Sequence, residues 1–284
     1  VAATHVHRPS EVAVRDALTM GSSATFVRKG WLLEGRFFAS RVSGSTEAMD
    51  SVMRSGVRFF QRPDASHISL EERTSLGGFG ATTILGQLEH PHIRGAVGGY
   101  LYSPGLELND LGFLPRVDEQ LGFAWLQLRR DGGSVVRSMG VNFNANAGRT
   151  FGGEFLGAYV NANGWLVSEA QHQVNASVSY QSSRLDPSAL FGGPALYRAP
   201  ETSARSELRS NPSEALSGAL VVSGAVGREL RAGEVRIEAR WRPLSSLELS
   251  CAPSLAHRRG RQFLSDDAGY EVALLTRNTA QFSL

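Results

Sequence analysis

The sequence predicts an all-β chain folded as an antiparallel up-and-down transmembrane β-barrel. Three observations carry that expectation: strict apolar–polar alternation, near absence of helical periodicity, and turn residues between the alternating runs. Val235, Ile237, Ala239 and Trp241 are apolar, whereas Arg236, Glu238, Arg240 and Arg242 between them are charged. Successive side chains of a strand point to opposite faces, so this run has one apolar face and one charged face. Val141, Phe143, Ala145 and Ala147 alternate with Asn142, Asn144, Asn146 and Gly148 in the same way. So do Val174, Ala176, Val178 and Tyr180 with Asn175, Ser177, Ser179 and Gln181. Many such runs in one chain fit a barrel that is apolar outside and polar inside.

The composition narrows the choice further. The chain has 284 residues, 42% hydrophobic and 20% charged, with a net charge of +2. That balance gives no bulk reason to expect nucleic acid as a partner. No run approaches the roughly 20 apolar residues a membrane helix needs. Cys251 is the only cysteine, so an intrachain disulfide is excluded. No basic-then-apolar leader opens the sequence. Val1–Thr4 reads as the tail of a strand, and Gln281–Leu284 stops inside one. Residues 1–284 are therefore expected to be a fragment of one barrel domain, with further strands on either side.

Along the chain, strands are expected near 1–8, 23–29, 31–42, 74–87, 92–103, 119–130 and 134–148. Others are expected near 153–162, 165–181, 199–210, 215–227, 234–242, 247–257, 269–275 and 279–284. Glu11–Leu18 and Thr46–Met53 are the two short helix candidates, each without a clear apolar stripe. Lys29-Gly30, Asp131-Gly132-Gly133 and Asn163-Gly164 read as tight turns, with glycine where φ must be positive. Longer links fall at 9–22, 43–73, 104–118, 182–198 and 258–268. Long and short links largely alternate, as they do when one rim of a barrel carries loops and the other carries turns. Trp31, Tyr100, Tyr102, Phe151, Trp165, Tyr180 and Trp241 fall near expected strand ends, where an interfacial aromatic girdle would sit. The charged run places Arg236, Glu238 and Arg240 toward the lumen, because charge facing lipid is costly.

The long links carry three distinctive segments. The first is Phe59-Phe60-Gln61-Arg62-Pro63-Asp64. The second runs from Ser103 through Pro104, Gly105, Leu106, Glu107, Leu108, Asn109, Asp110, Leu111 and Gly112 to Phe113. The third is Arg184-Leu185-Asp186 followed by Gly192-Gly193-Pro194-Ala195-Leu196. In combination and order these segments resemble the DUF5916 family. Asn109-Asp110-Leu111-Gly112-Phe113 is also similar to an element of TonB-dependent receptor barrels. The resemblance implies a bacterial outer-membrane barrel that follows a family 9 carbohydrate-binding-like domain. It implies outer-membrane lipid as surroundings and carbohydrate as a ligand of that other domain. It implies no activity for individual residues. The three segments are candidates either for ligand contact or for packing the links together.

Chemistry of other kinds finds little footing. His5-Val6-His7 and His90-Pro91-His92 offer paired imidazoles without an identifiable third ligand, so no metal site is assigned. Cys251 alternates within an apolar face, which suits an inert wall residue. Glu107 and Asp110 share a link but fit turn formation better than paired-carboxylate catalysis. No catalytic residue and no cofactor is assigned, and the chain is not expected to be an enzyme.

Overall fold

The computed structural model describes residues 1–9, 14–109, 114–266 and 269–282. In chain order the elements are β1 (Ala2–His7), β2 (Asp16–Arg28), β3 (Trp31–Ser43), α1 (Thr46–Arg54), β4 (Ser75–Gln87) and β5 (Ile93–Tyr102). They continue with β6 (Glu119–Asp131), β7 (Val136–Arg149), β8 (Phe155–Ser168), β9 (Gln173–Gln181), β10 (Arg184–Asp186) and β11 (Leu196–Arg198). The last are β12 (Glu201–Arg209), β13 (Leu216–Gly227), β14 (Leu230–Leu244), β15 (Leu247–Cys251), β16 (Ser254–Asp266) and β17 (Gly269–Gln281).

All but β10 and β11 join one antiparallel sheet of 15 strands, each strand beside its neighbour in sequence except that β15 and β16 both pair with β14. Where the links leave a gap, β9 pairs directly with β12, and β10 and β11 form a small ribbon of their own. This is the up-and-down order. Pairing of β17 with β1, which closure requires, is not among the described contacts. Among the described residues no helix is long and apolar enough to cross a membrane, which says nothing of strands.

The register sorts side chains onto two faces. Leu33, Phe37, Phe79, Leu85, Val97, Leu126, Phe143, Val160, Val178, Leu220, Val235 and Ile237 lie on the outer face, and all are exposed. The inner face receives the long links. Helix α1 is capped by Ser45, whose Oγ accepts from the Ala48 amide at 3.2 Å. Its Ala48, Met49 and Met53 pack on the inward Ala17, Val42 and Leu76 at the upper ends of β2, β3 and β4. A second small cluster, Leu106, Leu114 and Val117, packs with the inward Phe38 and Tyr102. The buried apolar core thus sits under one rim, and most large apolar residues stay outside it.

Long and short links segregate as expected. One rim carries residues 44–74, 103–118, 150–154, 182–200 and the brief link 228–229; the other carries 29–30, 88–92, 132–135, 169–172, 210–215 and 245–246. Several expectations need correction. Asn163-Gly164 is not a turn: β8 runs straight through it, and the turn comes after Ser168. Asn163 is held in the sheet by an amide hydrogen bond network, and Gly164 pairs with Val141 and Ala176. Asp16–Leu18 begins β2, and only 11–13 of that helix candidate lie outside the described residues. The expected link 228–233 shrinks to 228–229, because Gly233 is an ordinary strand position opposite Gly224. The link 258–268 is mostly the hairpin of β16 and β17, and the expected breaks at 276–278 vanish into β17. Thr46–Met53 is helical, and its stripe of Ala48, Met49, Val52 and Met53 is clear once its packing surface is known.

Candidate channel wall and loop cap

The inner wall is graded along the sheet. On β6–β9 it is lined by neutral amides and hydroxyls. Trp125 Nε1 and Gln127 Nε2 both donate to Asn142 Oδ1, at 3.2 and 3.0 Å. Asn142 Nδ2 donates to Asn163 Oδ1 at 2.9 Å, and Asn163 Nδ2 to Asn161 Oδ1 at 2.6 Å. Asn161 Nδ2 reaches Ser179 Oγ at 3.0 Å, and the Tyr159 hydroxyl donates to the same oxygen at 3.0 Å. These residues stand opposite one another across β6 to β9, so the ladder follows from the register.

On β12–β14 the wall is charged, with opposite signs facing each other. Arg205, Ser223 and Glu234 form one row, Glu207, Val221 and Arg236 the next, and Arg209, Ala219 and Glu238 a third. The middle strand carries small or uncharged residues, which lets the flanking charges reach over it. Arg209 and Glu238 approach to 3.7 Å across Ala219, and Arg240 meets Glu248 at 3.4 Å. Within strands, Arg209 pairs with Glu207 at 2.7 Å and Arg236 with Glu234 at 3.0 Å. Arg236, Glu238 and Arg240 therefore lie on the face opposite Val235 and Ile237, with mixed signs that largely compensate one another.

Aromatic rings sit on the same inner wall. A Cβ on Gly98 would meet the Phe123 ring at 2.7 Å, and one on Gly140 would strike the Trp165 ring. The rings therefore lie across glycines of neighbouring strands, in space that any side chain would fill. Tyr100 and Tyr102 stack beside them, centroids 4.7 Å apart. Tyr100, Tyr102 and Trp165 thus belong to the interior and not to an outer girdle. Trp31, Tyr180 and Trp241 do lie exposed on the outer face.

The three loop segments singled out by sequence come together over one rim. Arg62, 2% exposed at its side chain, donates from Nη2 to both oxygens of Glu154 at 3.0 and 3.1 Å, and its Nε meets Asp64 at 3.2 Å. Asp64 Oδ2 accepts from the Ala195 amide at 2.7 Å, which ties the first segment to the third. Burial pushes the Asp64 carboxyl up, but the Ala195 amide and Arg62 outweigh it and hold it below its ordinary value. Phe60 is buried, and Gln61 lies where a Cβ on Gly192 would be. Gly193 is buried; Pro63 and Pro194 are exposed. Arg184 packs over Gly157, whose Cβ would lie 2.8 Å from its own. Asp186 accepts from the Ser188 amide and hydroxyl at 3.2 and 2.9 Å and pairs with Arg198 at 3.3 Å. Burial opposes these contacts, and the Asp186 carboxyl still ends below its ordinary value.

The second segment lies on β4. A Cβ on Gly78 would collide with the Leu106 backbone, and one on Gly105 with the Gly77 carbonyl, so these two glycines let the link touch the wall. Ser103, beside Pro104, accepts from the Phe79 amide at 2.8 Å, and the Glu107 amide donates to Ser40 Oγ at 2.8 Å. Glu107 accepts from the Asn109 amide at 2.6 Å, and Asn109 from the Leu114 amide at 2.6 Å. Asp110, Gly112 and Phe113 lie outside the described residues.

Sequence reasoning missed the partners that complete this cap. Arg58, 1% exposed, pairs with Glu107 at 2.7 Å and also donates to the Leu106 carbonyl. Burial, set against the attraction of Glu107, pulls its guanidinium below the ordinary value. His67 pairs with Asp118 at 2.7 Å, and Asp118 accepts from the Phe151 amide at 2.9 Å. Arg116 reaches Ser188 at 3.3 Å. Single charges inside long links have no periodicity to mark them; burial alone reveals them. Elsewhere, His7 bonds Asp16 at 2.6 Å, with His5 at 3.8 Å from the same oxygen. Among the described residues no group of His, Cys, Asp and Glu could hold a metal ion.

No family model matches the chain, and no curated protein matches it. The DUF5916 resemblance therefore rests on the three loop segments alone. Among solved structures the chain is similar to the outer membrane protein opdK from Pseudomonas aeruginosa, at 11% identity. The likeness covers 94% of this chain and 93% of that one with a TM-score of 0.32, too distant to bear on function.

Proposed function

We propose that the chain is the wall of an outer-membrane β-barrel that works as a channel or uptake module. The observation that carries this reading is the outer face: large apolar residues stand exposed on strand after strand from β2 to β14. A soluble monomer rarely exposes a contiguous apolar patch beyond a few hundred Å². A bilayer core accepts such a face, and the strands between β1 and β17 satisfy their backbone groups within the sheet, as a membrane requires. The opposite face, with its amide ladder and compensated charges, suits the passage of polar solutes without strong preference for either sign.

The cap supports a second reading, a surface anchor or partner-binding scaffold with a blocked lumen, since buried ion pairs bind the long links across one rim. The DUF5916 resemblance adds a proposed tie to carbohydrate through a further domain. In the interior, aromatic faces beside amides would suit a hydroxyl-rich solute, which has both apolar and hydrogen-bonding edges. A glycan-processing role would belong to another domain.

The test is folding of the full-length protein in detergent, followed by planar-bilayer recording. A band that shifts on boiling, with β-rich circular dichroism and single-channel steps, is expected. A folded, heat-modifiable protein without conductance would replace the channel with the anchor. A monodisperse protein that needs no detergent would remove the membrane reading altogether.

A further inference from the structure

The outer face carries arginines at both rims. At the short-turn end Trp31 and Trp241 stand with Arg28 on β2 and Arg130 on β6, whose cross-strand partners Trp31 and Met139 are uncharged. At the long-link end it closes with arginines: Arg41 on β3, Arg149 on β7, Arg231 on β14 and Arg259 on β16, all exposed. Each shares the parity of the exposed apolar residues on its own strand, so each belongs to the outer face. Arg149 hydrogen-bonds Gln120 at 3.2 Å. Among the described residues no carboxylate pairs with any of the four. The nearby outer-face arginine Arg261 is engaged by Glu229 at 2.7 Å.

Arg231 and Arg259 stand directly opposite one another across β14 and β16. Val226 flanks Arg231 on β13, and Val235 and Leu255 form a cross-strand pair farther down the same face. Like charges directly opposed across a strand pair destabilise it unless an anion lies between them. Among the described residues no acidic side chain supplies that anion. Two guanidinium forks on the outer face, where β14 begins, are instead placed for phosphate oxygens, which guanidinium binds in a bidentate manner.

We propose that Arg231 and Arg259 form a binding site for the phosphate of an anionic membrane lipid in the leaflet on the long-link side, with Arg41 and Arg149 at the same end of the wall. The inference rests on the membrane reading above. A lipid is the occupant because, one row beyond Gly233, His257 and Asn278, the row of Val222, Val235 and Leu255 would lie against acyl chains while the guanidinium groups meet the headgroup. A free phosphate ion has nothing to gain from that row.

The experiment is native mass spectrometry of the full-length protein folded in zwitterionic detergent micelles, with a diphosphorylated glycolipid added. The heat-modifiable band is read on the same samples. Wild type is expected to retain the lipid, and Arg231→Gln/Arg259→Gln to retain at least fivefold less. Arg28→Gln/Arg130→Gln, at the short-turn end of the same face, should match wild type. Equal retention by wild type and the Arg231/Arg259 variant, both showing the folded band, would overturn the lipid site and leave the membrane reading intact. Full displacement of the lipid by inorganic phosphate at equal concentration would make the site one for free phosphate and overturn it too. A wild type that shows no heat-modifiable band and needs no detergent would bring down both readings.

Discussion

Arg62 illustrates how a single side chain can hold distant links together. Its guanidinium is almost wholly buried and serves Glu154 and Asp64 at once, and Asp64 in turn holds the Ala195 amide. Removing one partner of a buried ion pair strands the other charge, but Glu154 and Asp64 are 20% and 34% exposed, so the cost here falls below the full buried-pair figure of roughly 3–5 kcal/mol. Arg62→Ala should therefore loosen the cap with little effect on the sheet. Limited proteolysis is expected to cut within 55–74 or 187–195 in the variant and not in wild type, while β-sheet circular dichroism stays the same. Loss of the sheet signal as well would show that the cap is needed to form the wall. Arg62, Asp64 and Asp186 were visible in the sequence as members of unusual segments. Arg58, His67 and Glu154 were not, because what makes them matter is the depth at which they are paired, and a single charge in a loop carries no trace of that.

Strands were the most legible elements, because alternation repeats at every second residue and errors average out. The boundaries of β3, β4, β6 and β7 fall within a residue or two of the expected ones. Misreadings cluster where a turn-like dipeptide sits inside a strand. Asn163-Gly164 has turn chemistry, yet Asn163 is worth more to the fold as a rung between Asn142 and Asn161. The inner aromatic rings were misassigned for a related reason: a ring's seat on a glycine two strands' width of sequence away cannot be seen along one strand. Strand β14 offers a direct test of the facing. Ile237→Arg puts a charge on the exposed apolar face near mid-strand and should reduce bilayer folding by roughly 2–4 kcal/mol. Glu238→Gln, one residue on, loses only a 3.7 Å contact with Arg209 and should fold nearly as well as wild type. Equal folding yields in lipid vesicles for the two variants would mean the faces have been exchanged.

For the whole molecule, the division between wall and cap makes acid sensitivity local. Asp64 and Asp186 both lie in the cap, and both carboxyls are held below their ordinary value of 3.8. A depressed carboxyl contributes stability that is complete above its ordinary value and is lost as the pH falls through the lowered one. The cap should accordingly be intact at neutral pH and release below about pH 4. Bilayer recordings are expected to show conductance rising on acidification to pH 3, with the heat-modifiable band retained. Unchanged conductance over that range would mean that the two carboxylates do not hold the mouth shut.

The segregation of links also bears on how such a wall would enter a membrane. Every strand pairs with its predecessor, except where β10 and β11 intervene and where β15 and β16 share β14 as their partner, so hairpins can add in the order of synthesis. The edge with tight turns has only short links to draw through hydrocarbon. The opposite edge holds buried guanidinium and carboxylate groups that could not be drawn through it. Insertion would then have a single permitted direction, with the turns leading and the cap trailing, and the orientation of the finished protein would be decided by its assembly.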